Sequence, residues 1–262
     1  DMQRIPSAEL FDGLKIITSS GGNVTAKMIS DCKRTFRKAD FYSMHGLTEA
    51  FRSTYLDPSQ VKIRPNSIGK PIPDVELYVI NEEGRECAAR EVGELIHRGG
   101  YIYRGFWNAR EQNELRFKSV EILRDVINLE GHLTDEIVVA SGDYVYKDEE
   151  GYFYFVSRHD DMIKTRGFRV SPYEIESVVR ENLPQIGQCA VFGMDNELIE
   201  EEIVLVYSAP HEITEKEILF ELKKHLASYM IPGRVVYKKS LPLVQSDKNQ
   251  VNKDALKREL AG

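Results

Sequence analysis

Four short stretches of this chain hold residues whose types and spacing could do chemistry. The densest is Ser157 to Glu176, which sets Arg158, the pair Asp160–Asp161, Lys164, Arg166 and a lone Gly167 ahead of a helix entrance. Arg158 through Lys164 is too polar for a core and carries no helical stripe. Lys164-Thr165-Arg166-Gly167 is a charged turn in which the glycine is free to take a positive φ. By composition alone, the same string also reads as a solvated linker before a surface helix. The second stretch, His45-Gly46-Leu47-Thr48-Glu49, puts a hydroxyl and a hard carboxylate on one tight turn, a donor pair suited to Mg²⁺; it also reads as an ordinary loop. The third, Gly21-Gly22-Asn23-Val24, has the glycines that let a backbone approach a ligand closely, or that simply turn a strand into a helix. The fourth, Ser141-Gly142-Asp143, places a carboxylate just before a hairpin.

These residues need elements to position them. The apolar run Leu14 to Thr18 predicts a strand ending at a glycine turn. Thr25 then caps a predicted helix with Met28, Ile29, Cys32 and Phe36 on its apolar face. Strand, glycine turn, helix and strand make an α/β unit with functional loops at the strand ends. From about Ser67 the pattern changes to strands. Val75, Leu77 and Val79 alternate with polar neighbours, Gly93 to His97 is a further strand, and Asp148-Glu149-Glu150-Gly151 turns a hairpin. After the Ser157–Glu176 segment the pattern is α+β. Ser171, Pro172 and Glu174 open one helix, with Ile175, Val178 and Val179 on its inner face. Cys189 to Met194 and Ile203 to Tyr207 read as strands. Thr214 and Glu217 form a capping box for a helix that buries Ile218, Leu219, Leu222 and Leu226. A last short helix follows Asn252.

The expected architecture is therefore mixed α/β and α+β. Residues 1–158 form part of a large domain, with 1–66 an α/β segment and 67–158 a β-rich subdomain. Residues 159–262 form a small α+β domain. The 262 residues carry 42 acids against 35 bases, a formal net charge of −7. That balance argues against bulk nucleic-acid binding and against an anionic membrane surface. Cys32, Cys87 and Cys189 are far apart and include no Cys-x-x-Cys pair, so reduced, buried thiols in a cytoplasmic protein are expected. A dinucleotide Gly-x-Gly-x-x-Gly fingerprint is missing. The chain opens at Asp1 inside what reads as a domain, which suggests a piece of a longer polypeptide.

The ordered series resembles the AMP-forming adenylating enzymes, the superfamily of acyl-CoA synthetases, peptide-synthetase adenylation domains and luciferases. The wording is most similar to the acyl-CoA ligase branch. The resemblance implies ATP or AMP and Mg²⁺ as cofactors, with CoA or a phosphopantetheine thiol as acceptor. His45-Gly46-Leu47-Thr48-Glu49 resembles the family's aromatic-Gly-x-Thr-Glu loop. That likeness implies His45 and Gly46 beside adenine, Thr48 on phosphate and Glu49 on Mg²⁺, with Thr48 and Glu49 in the catalytic set. Gly22, Asn23 and Val24 match the turn whose backbone lies along the adenine. Asp143 matches the aspartate that accepts both ribose hydroxyls, and Arg158 the arginine on ribose and phosphate. Asp160 matches the hinge on which the small domain turns, and Lys164 and Gly167 the loop presented to pantetheine. Gly93-Glu94-Leu95 and Gly105-Phe106-Trp107 match family segments of structural character, with Phe106 and Trp107 expected in the core.

Two departures from the family pattern carry consequences. No Ser/Thr/Gly-rich phosphate loop with a lysine precedes the adenine turn within these residues, so the chain alone is expected not to adenylate. The catalytic lysine has two candidate positions. Counting forward from Leu241-Pro242 gives Lys248, whereas counting back from the last helix gives Gln250, with Asn252 as the helix cap. The implied function is a portion of a carboxylic acid:CoA ligase that needs the front of the large domain as its partner. Two alternatives are an adenylating protein that loads a carrier protein in trans and a non-catalytic nucleotide-binding relative.

Overall fold

The computed structural model describes residues 11–20, 24, 26–130, 135–244 and 247–261, with backbone only for 247–250. The chain divides into two compact units, residues 1–156 and 157–262. In the first, β1 (Ile16–Ser19), α1 (Ala26–Thr35) and β2 (Asp40–His45) form a parallel crossover. They are followed by β3 (Thr54–Leu56), β4 (Ser67–Pro71), β5 (Val75–Ile80), β6 (Gly93–Gly99), α2 (Arg110–Arg116), β7 (Phe117–Ser119), β8 (Ile137–Lys147) and β9 (Phe153–Arg158), whose last two residues belong to the second unit. The nine strands make one sheet in the order β1-β2-β3-β4-β9-β8-β6-β5, with β7 on β8.

The apolar pattern of each element decides which face it buries. Ile29 and Cys32 of α1 pack with Phe41, Leu56 and Val61, while Met28, expected on the same stripe, is 48% exposed. The position proposed for its cap, Thr25, lies outside the described residues. Among the described residues, β1 is the first strand of the sheet order, and its Ile16 is exposed. The β5-β6-β8 region is covered on both faces. Leu77, Val79, Leu95 and Val145 cover one face, and Ile80, Ile96, Val138 and Ala140 meet Val120 and Leu123 on the other. The β8–β9 hairpin turns on Asp148, whose carboxylate accepts the Glu150 and Tyr152 amides at 3.0 and 2.9 Å. Arg64 and the Tyr154 hydroxyl, each at 3.1 Å, satisfy its other oxygen, which is how a carboxylate can be buried there.

The second unit contains β10 (Ile163–Thr165), β11 (Phe168–Val170), α3 (Pro172–Asn182), β12 (Gln188–Asn196), β13 (Glu200–Ser208), α4 (Glu215–Leu222), β14 (Arg234–Lys238), β15 (Leu243–Val244), β16 (Asp247–Val251) and α5 (Lys253–Ala261). Its main sheet runs β11-β10-β13-β12, with β14 parallel to β13. Alternation on β12 and β13 separates two cores. Val191, Leu205 and Tyr207 meet Ile175, Val179, Ile218 and Leu222 of α3 and α4, while Ala190, Phe192, Val204 and Val206 meet Leu256 of α5. Helix starts follow their caps. Ser171 Oγ accepts the Glu174 amide at 3.3 Å, and Thr214 and Glu217 close a full capping box. The three cysteines are free and buried, and burial pushes Cys87 up to about 11 and Cys189 to about 12. Among the described residues, no helix is long and apolar enough to cross a membrane.

Candidate active site

In the first unit the site begins where β2 ends. His45 closes that strand, and Gly46 starts a loop folded so tightly that a Cβ would overlap the backbone nitrogen of Arg52. Leu47 N–H donates to the Ala50 carbonyl at 3.0 Å, and Tyr103 N–H to the Glu49 carbonyl at 3.0 Å. These bonds hold Thr48 exposed and Glu49 half-buried on the rim of the loop. Thr48 and Glu49 thus offer hard oxygen donors. Among the described residues, no group of three or more His, Cys, Asp or Glu is arranged to hold a metal by itself. A single glutamate still fits Mg²⁺, an ion that is usually held by one or two carboxylates together with substrate phosphates.

Asp143 comes from the middle of β8, and local geometry aims it. The pairing of β6 with β8 shifts register between Glu94 and Ile96, a bulge that re-aims side chains. At the bulge Gly142 takes φ +68°, and its amide donates to Glu94 Oε1 at 2.9 Å. The Ser141 hydroxyl donates to the Leu95 carbonyl at 2.6 Å and accepts the Asp143 amide at 3.0 Å. The result is a buried Asp143 whose Oδ2 lies 3.2 Å from His45 Nε2. The His45 ring also lies 6.3 Å from Phe155, tilted against it. The fold therefore joins two of the proposed nucleotide residues, 98 positions apart in sequence, into one close pair of a buried Asp143 and a half-buried His45. A third member escaped the sequence reading. His97 on β6 is fully buried, and its imidazole is pushed down to about 3, first by burial, then by the charge of His45, against the opposing pull of Asp143. The available signal was a histidine two residues after Leu95 on the same strand, a position that alternation places on the face of Leu95.

Other site positions fall separately. Gly22 and Asn23 lie outside the described residues. Val24 packs against the α1 core. Phe106 is half-buried, 5.6 Å from Phe117 and edge-on, but Trp107 is 98% exposed. The core placement expected for Trp107 is therefore wrong: it follows a positive-φ Gly105 in a loop fixed by Asn113, which bonds the Phe106 backbone on both sides and leaves the indole outside.

In the second unit, Arg158 ends β9 in an exposed position and is followed by a 3-10 turn, His159–Asp161, that carries an exposed Asp160. Lys164 and Gly167 share the β10–β11 hairpin, where Thr165 pairs with Phe168. Both turn residues take positive φ, +52° for Arg166 and +77° for Gly167, so the turn needs two left-handed residues, not the one expected. That is the two-residue geometry that matches the twist of its strands. A Cβ on Gly167 would meet nothing within 4 Å, so this tip is open to an incoming group. Lys248 and Gln250 both lie in β16, and their side chains are outside the described residues. Asn252 caps α5, its Oδ1 accepting the Ala255 amide at 2.9 Å.

Sequence comparison identifies the family. The family model for AMP-binding enzymes matches residues 2–107, and the one for the AMP-binding enzyme C-terminal domain matches residues 174–248. The chain belongs to the AMP-binding enzyme family. It is 30% identical to acetyl-coenzyme A synthetase of Bacillus subtilis over 90% of this chain and 39% of that protein. It is 32% identical to 4-hydroxybutyrate–CoA ligase 1 of Metallosphaera sedula over 91% of this chain and 40% of that protein. In fold it is similar to the O-succinylbenzoate coenzyme A synthetase of Bacillus subtilis solved with ATP and magnesium ion. The TM-score is 0.77 at 23% identity, covering 93% of this chain and 46% of that one. The chain thus spans about two fifths of the length of these curated relatives, and its mixed α/β and α+β architecture is that of the family's solved structures.

Proposed function

We propose that this chain is the rear portion of an ATP-dependent, AMP-forming carboxylic acid:thiol ligase, which as a whole protein adenylates an acyl substrate and passes it to CoA. The observation that carries this reading is the buried Asp143 carboxylate, held at the β8 bulge 3.2 Å from His45. A charged acceptor held rigidly inside a sheet suits two sugar hydroxyls, each such bond contributing about 1.5–3 kcal/mol. In this reading His45 lies beside the base, Thr48 binds phosphate, and Glu49 would hold Mg²⁺, which supplies charge neutralisation at the phosphates. Arg158 is the counterpart of the family's arginine for ribose and phosphate. Residues near Asp160 turn the second unit between half-reactions, and Lys164 with the open Gly167 tip receives the pantetheine thiol. CoA is the favoured acceptor because both relatives above are CoA ligases or synthetases by name.

The test is AMP binding together with acid-dependent ATP–pyrophosphate exchange, run on the polypeptide that contains these residues and on the 262-residue chain. Asp143→Ala is expected to weaken AMP at least about tenfold, the lower bound of one lost charged hydrogen bond. Unchanged affinity removes Asp143 from the site. The 262-residue chain is expected to show no exchange, because no phosphate loop stands before the adenine turn in it; exchange by that chain overturns the inference. A second reading, a non-catalytic nucleotide-binding relative, is favoured by the Asn252 cap. That cap supports the count that puts Gln250, which has no cation, at the lysine position.

A further inference from the structure

His97 is an unusual residue to find inside this sheet. It is fully buried on β6, directly after Leu95 and Ile96, which are themselves buried in the two cores on either face. Neither ring nitrogen has a hydrogen-bond partner among the described residues. A neutral imidazole has one donor and one acceptor, and leaving both unmade in a dry interior is destabilising. A leucine or valine would fill the place without that penalty. Burial keeps the ring neutral, yet His45 and Asp143 are close enough for their charges to act on it. Three polar groups from β2, β6 and β8 therefore converge in an otherwise apolar part of the sheet. For buried polar groups without a protein partner, an ordered water is the usual third party.

We propose that His97 is a positioning residue that donates through a buried water to the Asp143 carboxylate. Carboxylate oxygens have about four lone-pair sites, so Asp143 can accept this bond and still receive both sugar hydroxyls. The bond fixes the rotation of the carboxylate and thereby its discrimination between a ribose and a sugar lacking one hydroxyl. The nucleotide half of this inference rests on the reading of Asp143 as the ribose acceptor; the bond between His97 and Asp143 does not.

The experiment uses His97→Leu, His97→Gln, Asp143→Asn and the His97→Leu/Asp143→Asn double variant at pH 7.5. Thermal unfolding of the protein without nucleotide comes first. His97→Leu is expected to lower the melting temperature. The decrement should shrink or vanish on the Asp143→Asn background, and His97→Gln, which keeps a donor, should stay closer to wild type. If His97→Leu raises the melting temperature, or shifts it equally on both backgrounds, the proposal is overturned and His97 is a plain core residue. The second readout is binding of AMP and 2′-deoxy-AMP. His97→Leu is expected to reduce the preference for AMP by about fivefold or more, roughly 1 kcal/mol at 1.4 kcal/mol per decade. A weaker affinity with an unchanged preference overturns the orienting role. Should wild-type protein bind both nucleotides equally while the thermal coupling persists, the ribose reading fails and the His97–Asp143 bond stands.

Discussion

Acidification from pH 7.5 to 5 is expected to remove about 2 kcal/mol of stability through His97 alone. The imidazole titrates near 6.5 in the unfolded chain and is pushed down to about 3 in the fold by burial. Below 6.5 the unfolded state takes up a proton that the native state refuses, so stability is complete above that value and declines as the pH falls toward 3. At pH 5 the unfolded ring is about thirtyfold more protonated than neutral while the folded ring is still neutral, and a factor of thirty corresponds to about 2 kcal/mol. Urea unfolding followed by circular dichroism at the two pH values measures the loss. Trp107 is a poor reporter, because its indole is 98% exposed in the native state. Other groups titrate in the same interval, so the quantity to read is the difference between wild type and His97→Leu. Wild type should lose about 2 kcal/mol more than the variant. Equal losses would mean that His97 is charged or open to bulk solvent in the native state, and the account of a buried, neutral ring would be refuted.

Ser141→Ala should destabilise the first unit by about 1–3 kcal/mol, because it strips a partner from the buried Leu95 carbonyl and the Asp143 amide together; a calorimetric change under 0.5 kcal/mol would count against that bond pair. Gly69→Ala should be more damaging, since Gly69 takes φ +93° and a Cβ would run into the Tyr55 carbonyl. Soluble expression and melting temperature report it, and native-like melting would contradict the backbone geometry. In the polypeptide that contains these residues, Lys248→Ala should lower adenylation at least about tenfold if Lys248 supplies the charge at the α-phosphate, whereas unchanged exchange removes it from consideration and Gln250→Lys then becomes the activating change to measure.

Much of this protein follows from local chemistry. Ser171 with Pro172, the Thr214–Glu217 box and Asn252 start helices because a side-chain oxygen satisfies amide donors only a few residues away. Strands β5, β6, β12 and β13 follow from their apolar runs and alternation, and the β8–β9 turn from Asp148 and Gly151. The ordered motifs from His45 to Gly167 likewise pointed to the family before any fold was known. Tertiary structure decided what depends on which strands become neighbours. The approach of His45 to Asp143, and of His97 to both, requires β2, β6 and β8 to lie in one sheet with a two-residue shift between Glu94 and Ile96. Spacing along the chain does not encode such a shift, because it arises from long-range pairing and not from local propensity. The same reason puts Trp107 in solvent: an apolar residue is buried only where another element arrives to cover it.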